Sequence, residues 1–169
     1  MEKASCLPGK WRLHKAPLLV AFIVLLIDQL AKVWVRQSLV VGESVPREGY
    51  FRFTHVQNDG IIFGLDVPHI VTLIFPILLI IAALFLSARY AQLDGWAMRG
   101  AVGLFVGGSL GNLIDRIAFG HVTDFIDVRL WSDFHWPAFN VADASIVVGV
   151  ILLAAFMVLS IVKTPRDGT

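Results

Sequence analysis

The sequence predicts an all-α membrane protein with four transmembrane helices and a small outward-facing β-sheet and loop subdomain between helices 1 and 2. Three observations predict it. The 169 residues are 57% hydrophobic and only 16% charged, against ~25% charged in soluble domains, so too few polar side chains remain to coat a water-exposed surface. The apolar residues gather in four runs near the ~20 residues that a helix needs to cross hydrocarbon. Between the first two runs, Tyr50-Phe51-Arg52-Phe53-Thr54-His55-Val56 reads as a strand. The same composition excludes disorder, which needs low hydrophobicity and high charge. A net charge of +1 with no basic groove gives no case for nucleic acid. The single cysteine, Cys6, excludes an internal disulfide and a paired-Cys zinc site.

The first run covers about 16–35. Its apolar core continues through Asp28-Gln29-Leu30-Ala31-Lys32-Val33-Trp34 with no small-x-small cleavage site behind it, so it reads as a retained anchor. The loop 36–66 follows, punctuated by turns at Gly42, Pro46, Gly49, Gly60 and Gly64. The second run covers about 67–88. Ile77-Leu78-Leu79-Ile80-Ile81 excludes the period-2 alternation of a barrel strand, and Pro76 is tolerated where neighbouring helices satisfy the freed carbonyl. The third run, about 96–114, carries Gly103, Gly107 and Gly111 at spacing four beside Gly100 and Gly108, a stripe that lets another helix approach closely. Phe125, Leu130, Trp131, Phe134, Trp136 and Phe139 in the loop 115–140 read as interfacial anchors. The fourth run covers about 141–162.

Orientation follows from basic residues near the ends of the runs. Lys3, Lys10, Arg12, Lys15, Arg89, Arg99, Lys163 and Arg166 fall on one side, and Arg36, Arg47, Arg52, Arg116 and Arg129 on the other. Both termini are therefore expected in the cytoplasm and both long loops outside. With no internal repeat, residues 1–169 form one domain.

Ionisable groups at membrane depth are costly, so each needs an account. Asp28 and Lys32 stand four apart on one helix and are expected to pair. Asp115 and Arg116 at the end of the third run are expected to form a local pair as well. Asp124 and Asp143 differ: both sit at the outer boundary, and neither has a Lys or Arg within four residues. Two close carboxylates do not both ionise easily, so one keeps a proton while the other stays charged. Such a pair supplies a base for water and an acid for a leaving amine. Asp127 and Asp133 compete for the role, although Arg129 is near enough to neutralise Asp127. His121, Asp124 and Asp127 recur every three residues as possible metal ligands, without a His-Glu-x-x-His helix. Gly107-Gly108-Ser109-Leu110-Gly111 matches a nucleophile pattern that needs a strand–turn–helix setting.

Five motifs in order resemble those of the lipoprotein signal peptidases (signal peptidase II), bacterial membrane aspartyl peptidases. They are Asp28-Gln29-Leu30-Ala31-Lys32, Asn58-Asp59-Gly60-Ile61-Ile62-Phe63-Gly64, Gly107 through Arg116, Val122-Thr123-Asp124-Phe125-Ile126-Asp127 and Phe139-Asn140-Val141-Ala142-Asp143. The resemblance implies that Asp124 and Asp143 are the catalytic pair, with Asn58, Gly60, Phe63, Gly108, Asn112, Arg116, Val122, Asn140 and Ala142 lining or supporting the site. Asp28, Lys32 and Asp115 would be structural. It implies a prolipoprotein substrate with a diacylglyceryl-modified cysteine, cut just before that cysteine, and no metal or other cofactor. It also implies contact with membrane lipids, inhibition by globomycin-like peptides, and a site on the periplasmic face of the bacterial inner membrane. The chain departs from the family at Asp59, at Ile61-Ile62 where Ala-Ala is usual, and at Ala144 where Ser is usual. These bear on pocket shape more than on the pair. The residues alone leave open which aspartate holds the proton.

Overall fold

The computed structural model describes residues 15–60, 68–89, 95–131 and 134–163. Among them are four helices: α1 (Lys15–Ser38), α2 (His69–Arg89), α3 (Trp96–Phe119) and α4 (Val141–Lys163). Four strands, β1 (Ser44–Val45), β2 (Phe51–Asn58), β3 (Val122–Trp131) and β4 (Phe134–Phe139), form one antiparallel sheet in the order β1-β2-β3-β4. Phe63, Ile61, Ile62, Asp133 and Cys6 lie outside the described residues.

Helix α3 is the centre of the bundle and packs against α1, α2 and α4. Its small-residue stripe is the reason. A Cβ at Gly107 would stand 2.6 Å from the Ala21 carbonyl oxygen of α1, and one at Gly108 would collide with the Ala142 carbonyl oxygen of α4. Close backbone approach on two sides is what those positions provide. The outward faces of α1, α2 and α4 carry large exposed apolar residues such as Leu18, Phe22, Leu78, Phe85, Ile151 and Leu159, while Asp28, Lys32, Ser109, Asn112, Asp115 and Asn140 are buried. The usual arrangement of a water-soluble protein is inverted, as hydrocarbon surroundings require. Three helices, α1, α3 and α4, are long and apolar enough to cross a membrane; in α2 the apolar stretch is the shorter Ile70–Phe85. Pro76 lies inside α2 without ending it.

Two expectations are corrected here. The sheet is not confined to the segment between α1 and α2, because half its strands come from 122–139, expected as loop. Val122, Thr123, Asp124 and Phe125 are buried in succession, so the first half of β3 shows no alternation, and the period-2 signal is confined to Ile126-Asp127-Val128-Arg129-Leu130. The third helix also runs to Phe119 and not to about 114. Asp115 and Arg116 look like a polar helix end, but both are buried within its last turns. Gly120 then takes a left-handed conformation (φ 83°) and its N–H closes on the Arg116 carbonyl, turning the chain sharply into β3. A small apolar core of Val35, Leu39 and Phe125 fixes the end of α1 under β3.

Candidate active site

The site forms where the ends of α1 and α3 meet β3 and the start of α4. The Asp115 carboxylate accepts a hydrogen bond from the Thr123 backbone N–H (3.0 Å) and faces Lys32 (3.3 Å) and Arg36 (3.4 Å). Arg36 also donates to Thr123 Oγ1 (2.9 Å) and lies over the Phe119 ring at 4.5 Å. These contacts anchor the first residues of β3, and Asp124 comes next. Asp124 is 1% exposed. Asn140 Nδ2 donates to its Oδ1 (2.7 Å) and Asn58 Nδ2 to its Oδ2 (2.8 Å). Asn58 pairs with Val122 in the β2–β3 register, so it reaches Asp124 diagonally.

Asp143 reaches the site through helix capping. Asn140 precedes α4, and its Oδ1 accepts the Asp143 N–H (2.9 Å), while Asp143 Oδ2 accepts the Asn140 N–H (3.1 Å). This is a reciprocal capping box. The Ala142 N–H, another orphan donor of the first helical turn, goes to Asp28 Oδ1 (2.9 Å). Asn112 Nδ2 of α3 donates to Asp143 Oδ1 (2.7 Å), and Asn112 Oδ1 accepts from Lys32 Nζ (2.9 Å) and Asn140 Nδ2 (3.2 Å). Asn140 thus touches both carboxylate residues and joins strand to helix.

Burial pushes the Asp124 carboxyl up to about 7; the Asp143 charge adds to the rise, and hydrogen bonds from Asn58 and Asn140 with the Lys32 charge oppose it. A carboxyl titrating there is only partly ionised at neutral pH.

The sequence-predicted residues fall as follows. Asp28 and Lys32 pair as expected (2.8 Å, both fully buried). The expected Asp115–Arg116 pair is replaced: Asp115 serves Lys32, Arg36 and Thr123, and Arg116 donates to the Gly60 carbonyl (3.0 Å). Successive helical residues diverge around the axis and do not face one another. Gly60 donates its N–H to Asn58 Oδ1 (3.0 Å), so Arg116 and Asn58 together hold the chain beside Asp124. Val122 and Ala142 are buried on either side of the pair. Asp127 is occupied elsewhere in the sheet, by Arg52 (Nε, 2.9 Å), Thr54 (3.0 Å) and His135 (2.7 Å), and not by the expected Arg129. Burial pushes the Asp127 carboxyl up, but the hydrogen bonds from His135, Arg52 and Thr54 outweigh it and hold it below the ordinary range. Asp124 and Asp127 thus have separate partners, and among the described residues no three His, Cys, Asp or Glu gather as metal ligands. Ser109 is buried in the middle of α3, without a strand–turn–helix elbow. Ala144 is exposed, so its departure from Ser leaves the partners of Asp143 unchanged. Asp59 is also exposed. Sequence reasoning missed Thr123 and Arg36, whose roles arise from contacts 79 to 87 residues apart.

Comparison with known proteins gives a consistent result. The family model described as Signal peptidase (SPase) II matches residues 20–159. The lipoprotein signal peptidase of Moorella thermoacetica is 42% identical over 152 residues, covering 89% of this chain and 97% of that protein. That of Syntrophotalea carbinolica is 43% identical over 145 residues, covering 80% and 86%. A bacterial membrane enzyme solved by the in meso method at 2.3 Å resolution superposes with a TM-score of 0.79 at 27% identity, covering 93% of this chain and 96% of that one. From the stripe of α3 to the capping box of α4, both ends of the site lie inside the matched region, and the chain belongs to the signal peptidase II family.

Proposed function

We propose that this chain is an aspartic endopeptidase of the bacterial inner membrane that removes signal peptides from prolipoproteins, cutting just before a diacylglyceryl-modified cysteine. The observation that carries the aspartic mechanism is the pair of carboxylates, buried Asp124 and half-buried Asp143, held by the amide groups of Asn58, Asn112 and Asn140. All four helices cross the bilayer, both termini are cytoplasmic, and the sheet lies on the periplasmic side. The substrate enters from the lipid with its acyl chains left in hydrocarbon, and its scissile bond arrives at the outer ends of α3 and α4. Globomycin-like peptides would compete for the same position.

In the reactive form Asp124 carries the proton and Asp143 is ionised. Asp143 takes a proton from a water molecule whose oxygen bonds to the scissile carbonyl carbon. Asp124 donates to the carbonyl oxygen, stabilising the tetrahedral intermediate. As the carbon–nitrogen bond breaks, a proton passes from the pair to the leaving nitrogen, which departs as the amine of the lipidated cysteine. Burial of Asp124 shields its side of the exchange from bulk water.

The decisive test is cleavage of a diacylglyceryl-modified precursor in detergent by Asp124→Asn and Asp143→Asn. Each is expected to lose at least ~10²-fold in kcat, the usual contribution of general acid–base groups. Near-normal turnover in either variant would defeat the aspartic mechanism.

A further inference from the structure

Lys32 has more to do than pair with Asp28. Its ammonium is fully buried and has three N–H donors and no acceptor. All three find partners: Asp28 Oδ2 (2.8 Å), Asp115 Oδ2 (3.3 Å) and Asn112 Oδ1 (2.9 Å). The last contact, with a second donor at Asn140 Nδ2 (3.2 Å), orients Asn112. Only an oxygen can face an ammonium, so the amide must turn its oxygen to Lys32 and its NH₂ to Asp143 Oδ1 (2.7 Å). With the amide turned the other way, donor would face donor at Lys32 and acceptor would face acceptor at Asp143. The same logic orients the other two amides. The Asp143 N–H fixes Asn140, and the Gly60 N–H fixes Asn58, so both present NH₂ groups to Asp124. Lys32 differs from these anchors in being an ionised side chain from another helix, outside the contacts of either aspartate.

We infer that Lys32 is a positioning residue: with Asn140 Nδ2 it holds the Asn112 oxygen, so that Asn112 donates to Asp143 and favours its ionised form. Both Asp143 oxygens then accept N–H groups, from Asn112 and from the Asn140 backbone. A proton on Asp143 could be accommodated against Asn112 only by an amide flip that sets its NH₂ against a buried ammonium. The other charged groups around Asp143 are Asp28 of α1, Arg116 of α3 with Asp115 beside it, and Asp124 of β3.

Resting on the aspartic mechanism above, the test is the pH dependence of kcat/KM for lipidated-precursor cleavage in wild type, Lys32→Met, Asn112→Leu and the double variant. If Lys32 acts through Asn112, each single variant moves the acidic limb upward by about one unit, lowering kcat/KM about ten-fold at pH values below the limb. The double variant moves it no further than the larger single shift. An unmoved limb in Lys32→Met, or shifts that add in the double variant, would overturn the inference. A purely structural lysine would reduce the amount of active enzyme and leave the limb in place. Should Lys32→Met not survive extraction, Lys32→Met with Asp28→Asn removes the whole buried pair and leaves Asp115 with Arg36. Loss of the Asp28 charge acts in the opposite sense, so an upward limb there supports the inference and an unmoved or lowered one overturns it. Turnover retained in Asp124→Asn or Asp143→Asn would instead sink the mechanism itself, a different result from an unmoved limb.

Discussion

At the scale of single residues, Asp124 carries the sharpest consequence. Its carboxyl titrates at about 7 in place of the ordinary 3.8, mainly through burial. Between those values the folded protein keeps a proton that the unfolded chain has released. Stability therefore declines as pH rises through this window, and the deficit is complete above about 7. Asp124→Asn removes the buried charge and is expected to raise stability at pH 8 by roughly 1–3 kcal/mol, the pKa penalty being offset by a weakened hydrogen bond. Near pH 4 the advantage disappears. Thermal unfolding in detergent at the two pH values checks this, and a variant that melts below wild type at pH 8 contradicts it. Catalysis is expected to fall with pH above about 7, as Asp124 loses the proton it donates. Both carboxylates are legible in the sequence because neither has a basic neighbour close in the chain. Asp115 is misread for the complementary reason: its nearest basic residue in sequence is Arg116, but its partners in space are Lys32 and Arg36 of another helix. Adjacency on a helix is not contact.

At the scale of elements, hydropathy finds the four helices within a few residues, but not the end of α3 or half of the sheet. Charges end a hydropathy window, yet they do not end a helix whose neighbours bring compensating charges to it. The first half of strand β3 is hidden because 122–125 are all buried, and the two-residue period of Ile126 to Leu130 is too short by itself to separate a strand from a loop. Two predictions belong here. Gly108→Ala places a methyl group against the Ala142 carbonyl oxygen, immediately before Asp143. It is expected to cost about 1–3 kcal/mol of stability and to reduce kcat as α4 is pushed from α3. Measured unfolding and turnover both at wild-type values would show that the helices have slack. The second concerns the clamp of Arg52, Thr54 and His135 on Asp127, which ties β2, β3 and β4 together. Because the Asp127 carboxyl is held low, its contribution is present above about pH 4 and is lost as pH falls through the lowered value. Asp127→Asn should therefore loosen the sheet at pH 7, with faster amide exchange in β4, and differ little from wild type at strongly acidic pH. Equal exchange at pH 7 refutes the clamp.

At the scale of the whole molecule, apolar surface faces outward and polar groups converge inward on the pair. The composition announces the first property, and the second depends on which helix faces meet, which no window average reports. The topology is checked with Arg47→Cys in a Cys6→Ser background. A membrane-impermeant maleimide is expected to label it in spheroplasts, since residue 47 lies between α1 and β2, in the segment that the proposed topology places outside. Labelling only after lysis would invert the orientation. The Asp28–Lys32 contact has a last consequence, in the order of synthesis. Helix α1 leaves the ribosome before α3 exists, so its buried charges meet lipid before Asp115 and Asn112 are available. Because the two stand one turn apart, α1 enters the bilayer as a self-neutralised helix, with one of the three partners of its ammonium already in place. The arrival of α3 completes that shell, and the capping box of α4, made last, adds Asp143. The Asp124–Asp143 pair is thus assembled only after every other helix is in place, and the proposed hydrolysis has to wait for insertion to be complete.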